Sequence, residues 1–241
     1  MKANFEIQRT DLTKDWASQQ SRHIGSIELQ LSDDKKTLNI AMEHTADEVH
    51  DINEVGIKLI KEYLVNKNLV NNKKLKKILF GVFDNETRVK FLLNLTNDQL
   101  DDSDTFEFKE ITDVDISIDK DVGLPERISW MEDKIKNLKI KGESLHETEL
   151  LKNPAYHKAL IVSGIKAKYS FNSPSSNGEC TFEFGFPSRK NIPDENSEFI
   201  YKLINFNYKS PNKTKGKVQG FLYAKFDNFK SNAQTHIKSL K

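Results

Sequence analysis

At 241 residues, with 37% hydrophobic and 10% aromatic side chains, the chain is long enough to bury a core, and 15 phenylalanines give that core an aromatic cast. Its 37 basic and 36 acidic residues leave a net charge of +1, and the lone cysteine, Cys180, excludes a disulfide framework and any multi-cysteine metal site. No run approaches the roughly 18 apolar residues of a membrane span, and the N-terminus has no apolar segment of the secretory kind, so a cytoplasmic protein without a membrane partner is expected.

Alternation in SIELQL sets Ile27, Leu29 and Leu31 on one face, and TLNIAM does the same with Leu38, Ile40 and Met42. The polar SDDKK between them predicts a hairpin. A helix follows from Ala46 to Val65, with Val49, Ile52, Gly56, Leu59, Ile60 and Tyr63 in one stripe. Its start explains the HTADEVHD segment. Thr45 is the N-cap, Glu48 completes a capping box, and Asp47 offsets the helix dipole, so His44, Glu48 and Asp51 are not read as metal ligands. KKILFGVF and RVKFLLNL, flanking DNET, predict a second hairpin. In the acidic stretch that follows, a strand points Val114, Ile116 and Ile118 one way and Asp113, Asp115 and Asp119 the other. Pro125 opens a predicted helix with Ile128, Met131, Ile135 and Leu138 buried, and a polar helix, ESLHETELLKN, ends at Pro154. Beyond it ALIVSGIKAKYSF and ECTFEFGF form a third hairpin around NSPSSNG, and EFIYKLINFNYK and KVQGFLYAKF predict two more strands. The sum is an α+β fold: antiparallel β-hairpins forming one or two sheets, with two to three helices packed on one face.

Charge is unevenly spread. Residues 1–150 hold 22 basic and 30 acidic side chains and residues 151–241 hold 15 and 6, a net −8 against +9. The Pro154 break suggests an acidic α+β part, 1–150, and a basic β-rich part, 151–241, unless the two form one continuous domain. Such asymmetry points to an anionic partner for the basic part, or to an oligomer held through the acidic and basic halves.

The basic part supplies the first candidate site. In IKAKYSF, Lys166 and Lys168 alternate with Ile165, Ala167, Tyr169 and Phe171. In KGKVQGFLYAKF, read as a strand, Lys217, Gln219, Phe221, Tyr223 and Lys225 share a face opposite Val218, Leu222, Ala224 and Phe226. Cations interleaved with rings suit single-stranded nucleic acid, charge serving phosphate and aromatic faces serving bases. Arg189 and Lys190 in the adjoining loop join this set. QGFLYAKF also resembles the aromatic signature strand of the RNA recognition motif at Gly220, Phe221, Tyr223 and Phe226. The likeness spans eight residues and departs at Gln219, Leu222 and Ala224, so no family membership is drawn from it.

A second candidate is a Mg²⁺-dependent nuclease or phosphohydrolase. Asp84 at a strand end, Glu107 and Lys109 on the next strand, and Asp113 or Asp115 would hold the metal and polarise water. Cys180 alternates with Phe182, Phe184 and Phe186 and reads as a buried, inert thiol; catalysis would need His157 beside it. P-loop, dinucleotide-binding, nucleophile-elbow and HExxH motifs are absent. The expectation is a non-enzymatic interaction protein whose basic part contacts nucleic acid or an acidic protein surface. It needs no cofactor and no resident metal, Mg²⁺ entering only under the nuclease reading. A third reading is an accessory subunit of a larger assembly. Heavy use of Lys, Asn and Ile suits an AT-rich genome, such as that of a low-GC bacterium or its phages, and hence a phage or phage-defence setting.

Overall fold

The computed structural model describes residues 1–15, 17, 19–31, 38–44, 47–70, 77–97, 105–131, 136–173, 176–188, 192–209 and 214–239. They fall into two compact units, Met1–Lys76 and Lys77–Lys241. The architecture is α+β, with one antiparallel sheet in each unit.

In the first unit, β1 (Lys2–Thr10), β2 (Gln20–Leu31) and β3 (Leu38–His44) pair in that order, and α1 (Asp47–Asn66) packs on them. The β2–β3 hairpin forms as its alternation predicts, with Ile27 opposite Met42 and Leu29 opposite Ile40. Its turn and the Thr45 cap lie outside the described residues. β1 is an addition to the predicted elements; it sets Ala3, Phe5 and Ile7 against Ile27, Gly25 and His23. Two glycines let the helix come close. A Cβ at Gly25 would lie 2.4 Å from Val49 Cγ1 and 2.5 Å from Phe5 Cζ, and one at Gly56 would lie 2.6 Å from Ile27 Cδ1. This contact line rotates the helix away from the predicted stripe. Val49, Asn53 and Ile57 are buried, whereas Ile52, Val55, Leu59 and Tyr63 are 45%, 60%, 61% and 61% exposed. Asn53 conceals the true contact face in the sequence. It is polar, yet it sits under the helix and donates from Nδ2 to the Glu43 carbonyl at 3.0 Å.

The second unit opens with a 3₁₀ turn, Phe80–Val82, and α2 (Asn85–Asn94). β4 (Phe106–Ile118), a 3₁₀ turn at Glu126–Met131, β5 (Asn137–Lys141) and a 3₁₀ turn at Leu145–Glu147 follow. Then come α3 (Glu149–Lys152), α4 (Pro154–His157), β6 (Leu160–Ser173), β7 (Ser176–Gly185), β8 (Ile200–Lys209) and α5 (Lys215–Ser239). The five strands form one antiparallel sheet in the order β5-β4-β6-β7-β8. Along β6 and β7 the alternation holds: Ile165, Ala167, Tyr169, Phe171, Cys180, Phe182, Phe184 and Phe186 are all buried.

Several segments differ from the sequence reading. RVKFLLNL is helical, not the second arm of a hairpin. Asp84 caps α2, its Oδ1 accepting the Thr87 N–H at 2.7 Å, and Val89, Phe91, Leu92 and Leu95 are buried beyond it. Arg88 is buried with them. Its guanidinium lies 3.5 Å from the Phe80 ring centre and donates to Asn85 Oδ1 and the Phe83 carbonyl, and burial pushes its pKa down to about 10. Of the helix expected from Pro125, Glu126–Met131 is a 3₁₀ turn and the far end is β5, where Leu138 and Ile140 oppose Ile116 and Val114; Ile135 lies outside the described residues. ESLHETELLKN breaks into a 3₁₀ turn and α3, burying Leu145 and Leu151. KVQGFLYAKF belongs to α5 rather than to a strand. Val218, Leu222, Phe226, Phe229 and Ala233, three or four apart, are each fully buried, and the pattern runs on where the alternation stops. The likeness to a recognition-motif strand goes with it, because those residues are helical.

The charge changeover at residue 150 lies within the second unit, where β4 and β5 share a sheet with β6, β7 and β8. Counted by unit, the first holds 12 basic and 12 acidic residues and the second 25 and 24. Gly25→Val is expected to destabilise the first unit by about 1–3 kcal/mol, because Val49 and Phe5 must be pushed aside. Residue-resolved amide exchange should show protection lost in β1–β3 and α1, partly restored by adding Val49→Ala. Unchanged protection would contradict the close helix–sheet contact.

Candidate nucleic-acid interface

Residues 199–226 contain six lysines and no acidic residue. The chain doubles back within this window, from β8 to α5. Lys215 Nζ lies 5.7 Å from the centre of the Phe206 ring, and the Leu203 N–H donates to the Tyr223 hydroxyl at 3.3 Å. Thr214 precedes α5, and its carbonyl accepts the N–H groups of Lys217 and Val218. Its first turn holds Lys215 and Lys217 and no acid. A helix N-terminus is already the positive end of the macrodipole, and an acidic residue commonly offsets it. Here two exposed lysines reinforce it. Among the described residues, Lys209, Lys215 and Lys217 make no ion pair.

The predicted binding residues are divided by the fold. Lys217, Phe221 and Lys225 follow one another along one flank of α5, with Lys225 Nζ 6.0 Å from the Phe221 ring centre. Gly216, Gly220 and Ala224 run beside them, exposed, and a Cβ on either glycine would meet nothing within 4 Å. Both rings also pack on the core: Phe221 lies 6.4 Å from Phe171, and Tyr223 lies 5.8 Å from Phe182 and 5.9 Å from Tyr201. Lys166 and Lys168 lie on the far side of the sheet from α5, since the alternating Tyr169 packs on Phe226 and Phe229. There they face acids: Lys168 meets Glu110 at 2.6 Å and Lys166 meets Glu183 at 3.6 Å. Hydrogen bonds from Lys168 and the Ser144 N–H hold Glu110 below the usual carboxylate range, and Glu110 in turn raises Lys168. Lys139 and Lys141 face Asp115 and Asp113 in the same way, and Lys202 stands opposite Glu183. The open face of the sheet is therefore a mixed ladder of charges. Arg189 and Lys190 lie outside the described residues. Lys209 and Lys215 were not among the predicted residues; the signal that marks them is the acid-free window, not any alternation.

The nuclease set is dispersed among structural tasks. Asp84 caps α2, and Glu107 binds Lys109 at 3.2 Å and accepts from Ser170 at 3.4 Å on β4. Among the described residues, no group of three His, Cys, Asp or Glu side chains is placed to hold a metal ion. Cys180 is buried, and burial pushes its thiol up to about 12. His157, on α4, points its Nε2 at the Leu151 carbonyl, 2.8 Å away. No helix among the described residues is long and apolar enough to cross a membrane. No protein-family model, curated protein or solved structure matches the chain.

Cys180 should resist thiol reagents at neutral pH in the folded protein and react only as fast as the second unit opens. Because its folded pKa is raised from 9.0 to about 12, the stability linked to the neutral thiol is complete below pH about 9 and is lost as pH climbs through that interval. Rapid labelling without unfolding, followed by mass spectrometry, would refute the buried-thiol assignment.

Proposed function

We propose that the chain is a non-enzymatic, cytoplasmic interaction protein that holds nucleic acid along the exposed flank of α5. The observation that carries this reading is the reinforced positive end of that helix: Lys215 and Lys217 in a first turn without an acid. Lys209 at the end of β8 and Lys225 two turns along the helix extend the same field. The lysines contact phosphates, and the half-buried Phe221 offers a ring for an unstacked base. Bare backbone at Gly216 and Gly220 lets a sugar–phosphate chain approach closely. Binding of this kind is dominated by counterion release and is weakly sequence-specific.

An anisotropy titration of the full chain with single- and double-stranded DNA and RNA, with and without Mg²⁺ at several salt concentrations, tests the reading. Intact nucleic acid should be retained with a steep salt dependence. The double variant Lys217→Glu, Lys225→Glu should keep its circular dichroism while lowering the log–log salt slope by about 2. Gly220→Ala should stabilise the helix by up to about 1 kcal/mol yet weaken binding. Absence of binding to all four nucleic acids would overturn the reading and favour an acidic protein partner. Cleavage dependent on Mg²⁺ and lost in Glu107→Ala would replace it with the nuclease.

A further inference from the structure

Among the described residues of the first unit, an unpaired strand edge and an uncovered helix flank lie on the same side. Met1 exchanges backbone hydrogen bonds with Leu29, and the Asp11 N–H donates to the Gln19 carbonyl. Antiparallel pairing alternates, so the odd-numbered residues of β1 direct their N–H and C=O groups to β2. The even-numbered ones, Lys2, Asn4, Glu6 and Gln8, direct theirs outward at the free edge. Every residue of β1 is exposed except Phe5 and Ile7, which are half-buried. Above this edge, Val49 sits on Gly25 and Phe5 while Asn53 reaches β3. The helical order around α1 then places Ile52, Val55, Leu59 and Tyr63 on the flank turned away from β3, on the β1 side, and all four are exposed.

We propose that this side is closed by a second copy of the chain, β1 pairing antiparallel with β1 about a two-fold axis at Phe5. That register sets Lys2 opposite Gln8 and Asn4 opposite Glu6, so the outward backbone groups of each strand meet those of the other. Ala3 faces Ile7 and Phe5 faces Phe5 on the helix side, at non-hydrogen-bonded positions, where side chains approach most closely. On the opposite side, Lys2 lies diagonal to Glu6 of the second copy. A register centred on Glu6 would oppose two glutamates and is disfavoured for that reason. The result is a six-stranded sheet in which the two α1 flanks face each other across the paired Phe5 rings, so that both apolar stripes line one groove. The surface suits a second copy because it is self-complementary, as an isologous two-fold contact requires.

Sedimentation velocity of the full chain from low to high micromolar concentration should show a dimer that resists salt. Asn4→Pro removes an outward N–H and leaves the β1–β2 bonds intact, so it should give a folded monomer with unchanged circular dichroism. Leu59→Asp should weaken the dimer at least tenfold. Chains carrying Ala3→Cys, mixed with chains carrying Ile7→Cys, should cross-link on oxidation, whereas Ala3→Cys alone should not; Cys180 is buried and does not compete. A chain that stays monomeric at every concentration overturns the proposal. So does a dimer that survives both Leu59→Asp and a folded Asn4→Pro, and failure of the mixed cross-link overturns the register.

Discussion

Tyr169 is fully buried in the middle strand of the five-stranded sheet, its ring stacked on Phe106 at 4.9 Å and edge-on to Phe182, Phe226 and Phe229. Its hydroxyl donates to the Leu95 carbonyl at 2.8 Å, just past the end of α2. A buried hydroxyl without an acceptor is costly, and a helix C-terminus has carbonyls without partners, so each group satisfies the other. One side chain thereby fixes α2, α5 and the sheet to one another. Fourteen of the 15 phenylalanines belong to this unit, and most of them extend the same aromatic layer. With Val218, Leu222 and Phe226 drawn into that layer, Lys217 and Lys225 are left toward solvent. The candidate interface is thus a consequence of how the core is filled.

The charge imbalance along the sequence has a different outcome in space. The acidic strand β4 lies between β5 and β6, so its carboxylates meet Lys139, Lys141 and Lys168 across the ladder. Exposed pairs of this kind contribute at most about 1 kcal/mol each, but they cancel the field that the lysines would otherwise project. Positive charge without an ion pair among the described residues stands at the end of β8, at Lys209, and in the first turn of α5, at Lys215 and Lys217. A linear count of charge cannot separate these cases, because it does not know which strands are neighbours.

Much of the sheet was legible. Period-two alternation in residues 27–31, 38–42, 165–171 and 180–186 is the pattern of strands with one covered face, and each forms a strand. The failures occur where both periods fit. Residues spaced by four share a face in a strand and in a helix alike, so Val218, Leu222 and Phe226 decide nothing. Phe229 breaks the tie. A strand would place it opposite the other three, while a helix places it beside them, and it is buried with them. The same degeneracy kept Lys217, Phe221 and Lys225 together although the predicted element was wrong. Tyr223, only two residues from Phe221, shares their face in a strand alone, and in the helix it packs on Phe182 and Tyr201 while Phe221 packs on Phe171. In α1 the obstacle was chemical: Asn53 occupies a contact position, so the apolar residues by themselves trace the wrong line.

Widths explain why the first unit is left with an open side. A helix with its side chains is about 10 Å across and neighbouring strands are about 4.8 Å apart, so one helix covers two strands. Among its described residues the first unit has three strands and a single helix, and that helix packs over β2 and β3. Over β1 the helix comes close only where Val49 and Phe5 meet at Gly25, so Phe5 and Ile7 stay half-buried and Ile52, Val55, Leu59 and Tyr63 stay exposed. On the proposal above, a further layer of apolar surface comes from a second copy. The outward backbone groups of β1 make another strand the natural way to bring it.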